Sequence, residues 1–346
     1  MRMDSIELER RRAQRARERR RRHSRRRVLA GGSLAIVIAA IVAAVASAGG
    51  GSPSARSSNS GGAPIAGGAR HAHGAPRHRT RSASVAAAGL HRHGSTADVL
   101  GPPTGHPGTA SVPVLMYHVI APPPPNAPFP GLYVPAPEFA AQMRALKAAG
   151  WHAVTLDQLR AYWTKGARLP PGKPIVVSFD NGYHSQYTEA LPILRRLGWV
   201  GNENMQLSGL PPSQGGMTRS EVHALIANGW ELDTQGMTHA DLATEDAAGL
   251  HYQIVVARRR LQREYGVPVN WFCYPSGDYD ATVIAAVRAA GFVGSTTVVP
   301  GWASPSTDPY RLPRLRVLGG TSPQALLAQI AASQGDPPAP PSYTVG

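Results

Sequence analysis

A single cysteine, Cys273, occurs in 346 residues, so no internal disulfide can form and the chain is not a bridge-stapled mini-protein. Its 37 glycines and 32 prolines do not make it collagen-like. Acidic residues are few, 21 against 36 Lys and Arg, which leaves a formal net charge of +15 and raises the question of a nucleic-acid partner. The position of the charge answers it. Residues 1–27 hold 13 basic and 4 acidic side chains, residues 28–110 hold 6 and 1, and residues 111–346 hold 17 and 16. A groove that tracks phosphates needs its basic residues on a folded face, and here the excess lies outside the part able to fold. Nucleic acid is therefore excluded as a partner.

Residues 28–48 are uncharged and mostly apolar, close to the ~20 residues a helix needs to cross the hydrocarbon core. The arginines before this run make residues 1–27 a cytoplasmic tail and put Gly49 onward outside the cytoplasm. Two fates fit. The segment is a single-pass transmembrane anchor in the cell membrane, or a signal cut near Ala48 to release the protein, since Ser24-Arg25-Arg26-Arg27-Val28-Leu29 resembles a twin-arginine signal and Ala46-Ser47-Ala48 a small-x-small cleavage site. Residues 49–110 are Gly, Ser, Ala, Pro, Arg and His with no sustained period, which reads as a disordered linker. Residues 335–346 read as a Pro-rich tail.

From 111 to 334 short β-prone runs alternate with helical spacing. Val114–Tyr117, Ile175–Phe179, Trp230–Leu232, Trp271–Tyr274 and Val293–Val298 read as buried strands. Glu138–Ala149, Gln186–Leu197, Thr218–Asn228, Ala247–Tyr265 and Ala281–Ala290 read as helices, with a capping box at Thr218–Glu221 and a glycine just past each end. Repeated strand–helix units imply a largely parallel sheet or barrel whose working residues gather where strands end.

Three strand ends carry polar residues. Ser178-Phe179-Asp180-Asn181-Gly182 places an acid and an amide at a carboxyl end, as a catalytic pair or as a helix cap. Gln235 and His239 lie four apart after the next such strand, a spacing that suits two ligands of one centre if the loop is coiled. Tyr274-Pro275-Ser276-Gly277 is a Pro-Gly turn, where backbone N–H groups can face an oxyanion or simply close a turn.

In order along the chain, Pro113–His118, the SFDNG segment, Thr238-His239-Ala240-Asp241-Leu242, Phe272–Asp280 and Arg311–Val317 resemble the motifs of the polysaccharide deacetylase family, the NodB-homology domain of carbohydrate esterase family four. The resemblance covers roughly 113–320. It implies a distorted (β/α) barrel of about seven strands that removes acetyl groups from N- or O-acetylated sugars, so that the partner is an acetylated polysaccharide or peptidoglycan. It also implies a divalent metal, usually zinc, that polarises the acetyl carbonyl and its attacking water.

Carried over position by position, the general base falls on Asp180, the metal ligands on Asn181, Gln235 and His239, and the general acid on His118. The Ser276 N–H is left to serve the oxyanion. Tyr274, Pro275 and Trp302 are candidate sugar contacts. Two of the three ligands are neutral amides where the family has an Asp and a His, so a second reading stands beside the first: a catalytically impaired domain that binds cell-wall glycan without turnover.

Overall fold

The computed structural model describes residues 102–210 and 215–334. The tail at 1–27, the apolar segment at 28–48, the linker up to residue 101 and the tail at 335–346 lie outside the described residues. No described helix is long and apolar enough to cross a membrane.

Nine strands follow one another as β1 Val112–Tyr117, β2 Trp151–Ala153, β3 Lys173–Asn181, β4 Asn202–Met205, β5 Glu231–Thr234, β6 Trp271–Cys273, β7 Gly294–Thr296, β8 Trp302–Ala303 and β9 Leu315–Arg316. The helices between them are α1 Ala136–Ala148, α2 Leu156–Lys165, α3 Leu191–Arg196 entered through a π turn at Gln186–Ala190, α4 Arg219–Ala227, α5 Ala257–Tyr265 approached through Ala247–Leu250 and a π turn at His251–Val256, α6 Ala281–Ala289 and α7 Pro323–Ala332. All five helices and all five strands expected from periodicity are present.

The strands run β7-β6-β5-β4-β3-β1, all parallel, and β9 adds to β1 in parallel. Leu312, just before β9, bridges back to Thr296 of β7. One short segment thus reaches from the last parallel strand to the first and curls seven parallel strands into a distorted barrel. β8 pairs antiparallel with the amino end of β1, and β2 pairs with the amino end of β3.

Alternation along each strand sorts the side chains into two faces. Leu115, Tyr117, Val177 and Phe179 pack outward with Phe139, Met143 and Leu146 of α1 and Leu191 and Leu194 of α3, and Phe179 stacks on Trp230 with centroids 4.9 Å apart. Leu232 and Phe272 do the same against Leu261 of α5 and Val283 and Val287 of α6. On the inner face Val114, Val176, Trp271 and Leu312 cluster with Leu156 and Leu159 of α2 and close the amino end of the barrel. Polar side chains fill the rest of the interior.

Composition hides β4. Asn202-Glu203-Asn204 reads as loop, yet all three residues are buried, because the inner face of this strand supplies amides to acids on its neighbours. Asn202 Nδ2 reaches Asp233 Oδ2 at 3.5 Å, and Asn204 Nδ2 donates to Asp180 Oδ1 at 2.9 Å. The fold also begins earlier than composition indicates. The Thr104 N–H donates to the Gly166 carbonyl at 2.8 Å, and Trp163 Nε1 of α2 donates to the Ala110 carbonyl at 2.8 Å.

Near the amino end three acids meet. Asp233 Oδ1 accepts from the Trp271 N–H, Glu231 Oε2 accepts from the Asp157 N–H, and the Asp157 carboxylate accepts from Asn270 Nδ2 and Trp271 Nε1. Burial, reinforced by the neighbouring Asp157 charge, raises both Glu231 and Asp233 and pushes Asp233 up to about 7. A carboxyl raised on folding adds stability that is complete below its unfolded value and is lost as pH rises through its folded one. Asp233→Asn keeps the acceptor for Trp271 and removes the proton. It is expected to match the wild type below about pH 4 and to exceed it by about 2–4 kcal/mol at pH 8, read from urea unfolding at both pH values. Equal stability at pH 8 would refute the assignment.

Candidate active site

The inner-face alternation that hides Val176 in the apolar plug carries Ser178 and then Asp180 up the same side of β3. Asp180 is 1% exposed. Its Oδ1 accepts from Arg314 Nη1 at 2.7 Å and from Asn204 Nδ2 at 2.9 Å; its Oδ2 accepts from Arg314 Nη2 at 2.9 Å and lies 3.6 Å from Cys273 Sγ. Burial alone would raise this carboxyl, but the bidentate Arg314 guanidinium outweighs it and holds Asp180 at about 2. Arg314 is equally buried. It stands just before β9, donates from Nε to the Thr297 carbonyl at 2.8 Å and touches Ser178 Oγ and Cys273 Sγ, so it crosses the barrel from the closing segment to β3.

His118 follows β1, with Nε2 3.9 Å from Asp180 Oδ2 and Nδ1 buried without a hydrogen-bond partner in the protein. Burial lowers its pKa, Asp180 opposes this, and the charges of Arg316 and Arg314 lower it further, to about 4. The imidazole is neutral at physiological pH, so it is not a ready general acid until it has taken a proton. Gln186, fully buried in the π turn before α3, donates from Nε2 to the backbone carbonyls of both His118 and Asp180, at 2.9 and 2.8 Å. That single amide fixes the ends of β1 and β3 to each other.

Strain gathers at the same end. Among the described residues four non-glycine positions adopt a left-handed φ, and three of them are site candidates: Asn181 at 83°, His239 at 55° and Ser276 at 56°. Gly182 continues the turn at φ 85°, where a Cβ would meet Met205 Sδ at 2.8 Å. Asn181 Nδ2 donates to Gln206 Oε1 at 2.8 Å, and Gln206 Nε2 passes on to the Ser208 carbonyl at 2.7 Å. Gln235 is 2% exposed, with Oε1 unpartnered in the protein, and its N–H donates to the Met205 carbonyl at 2.8 Å. His239 is half-buried on the loop after β5. Ser276 is exposed on the turn after β6, while Pro275 beside it is buried.

Two expected sugar contacts are corrected. Tyr274 is 1% exposed; its ring stacks on Tyr279 and its hydroxyl donates to the Tyr310 carbonyl at 3.0 Å, because it falls on the outer, helix-facing side of β6. Trp302 lies on β8, opposite Pro113 at the amino end of β1. It packs edge-on against Trp151 and donates from Nε1 to the Ile330 carbonyl of α7 at 3.0 Å. Both residues are core, and neither stands where β1 and β3 end.

Zinc is tested by the donor set. A working site has imidazole, thiolate or carboxylate donors, and the positions the resemblance names offer one imidazole and two neutral amides. The carboxylate of Asp180, adjacent to Asn181, is already neutralised by Arg314. Among the described residues no group of three or more His, Cys, Asp and Glu side chains is placed to hold a metal ion. The residues present do not fit zinc.

Arg314, Asn204 and Gln186 were not singled out by sequence reasoning. Arg314 had a faint signal, lying in the recognised Arg311–Val317 segment, but its partner is 134 positions away.

A family model described as Polysaccharide deacetylase matches residues 167–295. YxkH from Bacillus subtilis (strain 168), whose name assigns it to the polysaccharide deacetylases, is 25% identical over 221 residues, 64% of this chain and 76% of that one. Among solved structures, the Streptococcus pyogenes deacetylase PplD in complex with acetate superposes with a TM-score of 0.59 at 23% identity, over 64% of this chain and 99% of that one. BA0330 from Bacillus anthracis does so at 0.57 and 24%, over 64% and 69%. The family is generally metal-dependent, which sets the donor set here apart from the general pattern. Strand order, ordered motifs and matches agree: residues 167–295 match the Polysaccharide deacetylase family model, and the fold around them is that of the similar solved deacetylases.

Proposed function

We propose that the protein is a hydrolase of carbon–nitrogen bonds other than peptide bonds, removing acetyl groups from an N-acetylated cell-wall or surface glycan. Residues 28–48 would hold it in the cell membrane, or export it, with the domain outside the cytoplasm, where such polymers lie. The observation that carries the reading is the meeting of His118 with the Arg314-bound Asp180 at the carboxyl ends of β1 and β3. The 3.9 Å gap between Nε2 and Oδ2 is too long for a direct hydrogen bond, and the reading places the attacking water against both atoms.

The chemistry then needs only side chains on hand. As the water oxygen attacks the acetyl carbon, its proton passes to neutral His118 Nε2, and the carboxylate of Asp180 stabilises the imidazolium that forms. The oxyanion faces the Ser276 turn. His118 returns the proton to the leaving nitrogen as the C–N bond breaks, giving acetate and a free amine. Asp180, with its oxygens occupied by Arg314, Asn204 and Cys273, serves as the fixed anion rather than the base.

Acetate release from N-acetylated oligosaccharides tests the reading. His118→Ala is expected to lose about 10²–10⁴-fold in kcat, and the wild-type rate should fall as pH drops through about 4, where the imidazole charges. Retained activity in His118→Ala would refute the role. Glycan binding without acetate release would instead favour a binding module.

A further inference from the structure

The ends of β3, β4 and β5 carry a cluster of carboxamides, Asn181, Asn204, Gln206 and Gln235, where the resemblance places a metal centre. Two of these residues are more than nine-tenths buried and hold a carbonyl oxygen with no partner in the protein: Asn204 Oδ1, at 1% residue exposure, and Gln235 Oε1, at 2%. Asn204 turns inward, since its amide nitrogen is on Asp180. Gln235 shares the inner side with Asp233 by alternation, and its backbone continues the β4–β5 ladder through the Met205 carbonyl. A buried acceptor left unmade costs about 1–3 kcal/mol, so each oxygen has a strong demand for a donor.

The charge around them selects the donor. Asp180 is neutralised by Arg314 at 2.7 Å, and Arg316 adds a positive charge near His118. The Asp180 carboxylate at the end of β3 thus already has its cation, whereas a neutral O–H or N–H would meet two unpartnered carbonyls. The Asn181–Gln206–Ser208 chain of hydrogen bonds already occupies the first ligand position with an amide network.

We infer that this carboxamide centre has taken the place of the catalytic metal, and that Gln235 and Asn204 receive hydroxyl and acetamido N–H groups of a neutral amino sugar without any metal ion. The sugar identity rests on the deacetylase reading; the absence of a metal requirement does not. Gln235 is a ligand-binding residue in this arrangement.

Two measurements on the full chain test it. In equilibrium dialysis against micromolar zinc the wild type is expected to retain well under one ion per chain, and near-stoichiometric zinc that is lost in His239→Ala would overturn the inference while leaving the deacetylase reading intact. In calorimetric titration with the N-acetylglucosamine tetramer, EDTA should leave the affinity unchanged. Gln235→Met should weaken it about tenfold without lowering the thermal midpoint, because the substitution also removes a buried unpaired oxygen. No binding of the tetramer, or binding indifferent to Gln235→Met, would overturn the assigned ligand. Binding with these properties but no acetate release would sink the deacetylase reading and keep the centre.

Discussion

Arg314→Met is expected to cost about 3–5 kcal/mol of unfolding free energy near pH 7, among the largest losses any single change in this domain should produce. The guanidinium and the Asp180 carboxylate are each 1% exposed and joined by two hydrogen bonds of 2.7 and 2.9 Å. Removing the cation leaves an anion in the barrel interior with Asn204 and Cys273 as its remaining donors. The variant should therefore recover stability as pH falls, because the orphaned carboxyl, raised by burial, protonates. The wild type behaves in the opposite sense: Asp180 is depressed to about 2, so its contribution is present above the unfolded value and is lost as pH falls through the folded one.

A double-mutant cycle checks this. Replacing both members of a buried pair is often far less costly than breaking it, so Asp180→Asn combined with Arg314→Met should be more stable than Arg314→Met alone. Urea midpoints at pH 5 and pH 7.5 give the cycle and its pH dependence together. If Arg314→Met loses less than about 1 kcal/mol, within the range of an exposed pair, the ion pair does not hold the barrel interior.

Why the site was only partly legible follows from what each residue faces. β1, β3 and β6 are visible in the sequence because their apolar sides pack against helices or the amino-end plug, which leaves runs of Val, Leu, Ile and Phe. β4 is invisible because its inner side solves a polar problem, and Asn202-Glu203-Asn204 has the composition of a loop while being fully buried. Asp180 and His118 could be found because they end readable strands. Arg314 could be placed on a closing strand but not on Asp180, since a contact between distant segments leaves no spacing to read. Gln186 looks like any glutamine at the start of a helix, and its role exists only once β1 and β3 lie side by side. Trp302 and Tyr274 misled for one reason: an aromatic beside a Pro-Gly turn has the same local sequence whether it faces a sugar or the core, and here the strand's hidden side decides.

The second large effect is a gain. Asn181→Asp with Gln235→His rebuilds a carboxylate and two imidazoles around the same strand ends. Changes outside a metal's own ligand set shift affinity about 10–100-fold, so restoring two direct ligands should raise zinc affinity by at least about 100-fold. The backbone permits it, because Asp tolerates the left-handed φ of 83° at position 181 nearly as well as Asn. One local cost is foreseen. Asn181 Nδ2 now donates to Gln206 Oε1; with Asp, two oxygens would face each other, and Gln206 must turn its amide over and give up the Ser208 carbonyl. Without metal the variant should therefore melt lower than the wild type, carrying a new buried charge. With zinc it should climb in proportion to the logarithm of the free metal concentration, while the wild-type midpoint stays put. A wild-type midpoint that rises with zinc as steeply as the variant's would mean that the amides already hold the ion. The hydrogen-bonding centre argued from Gln235 and Asn204 would then give way to an unusual metal site.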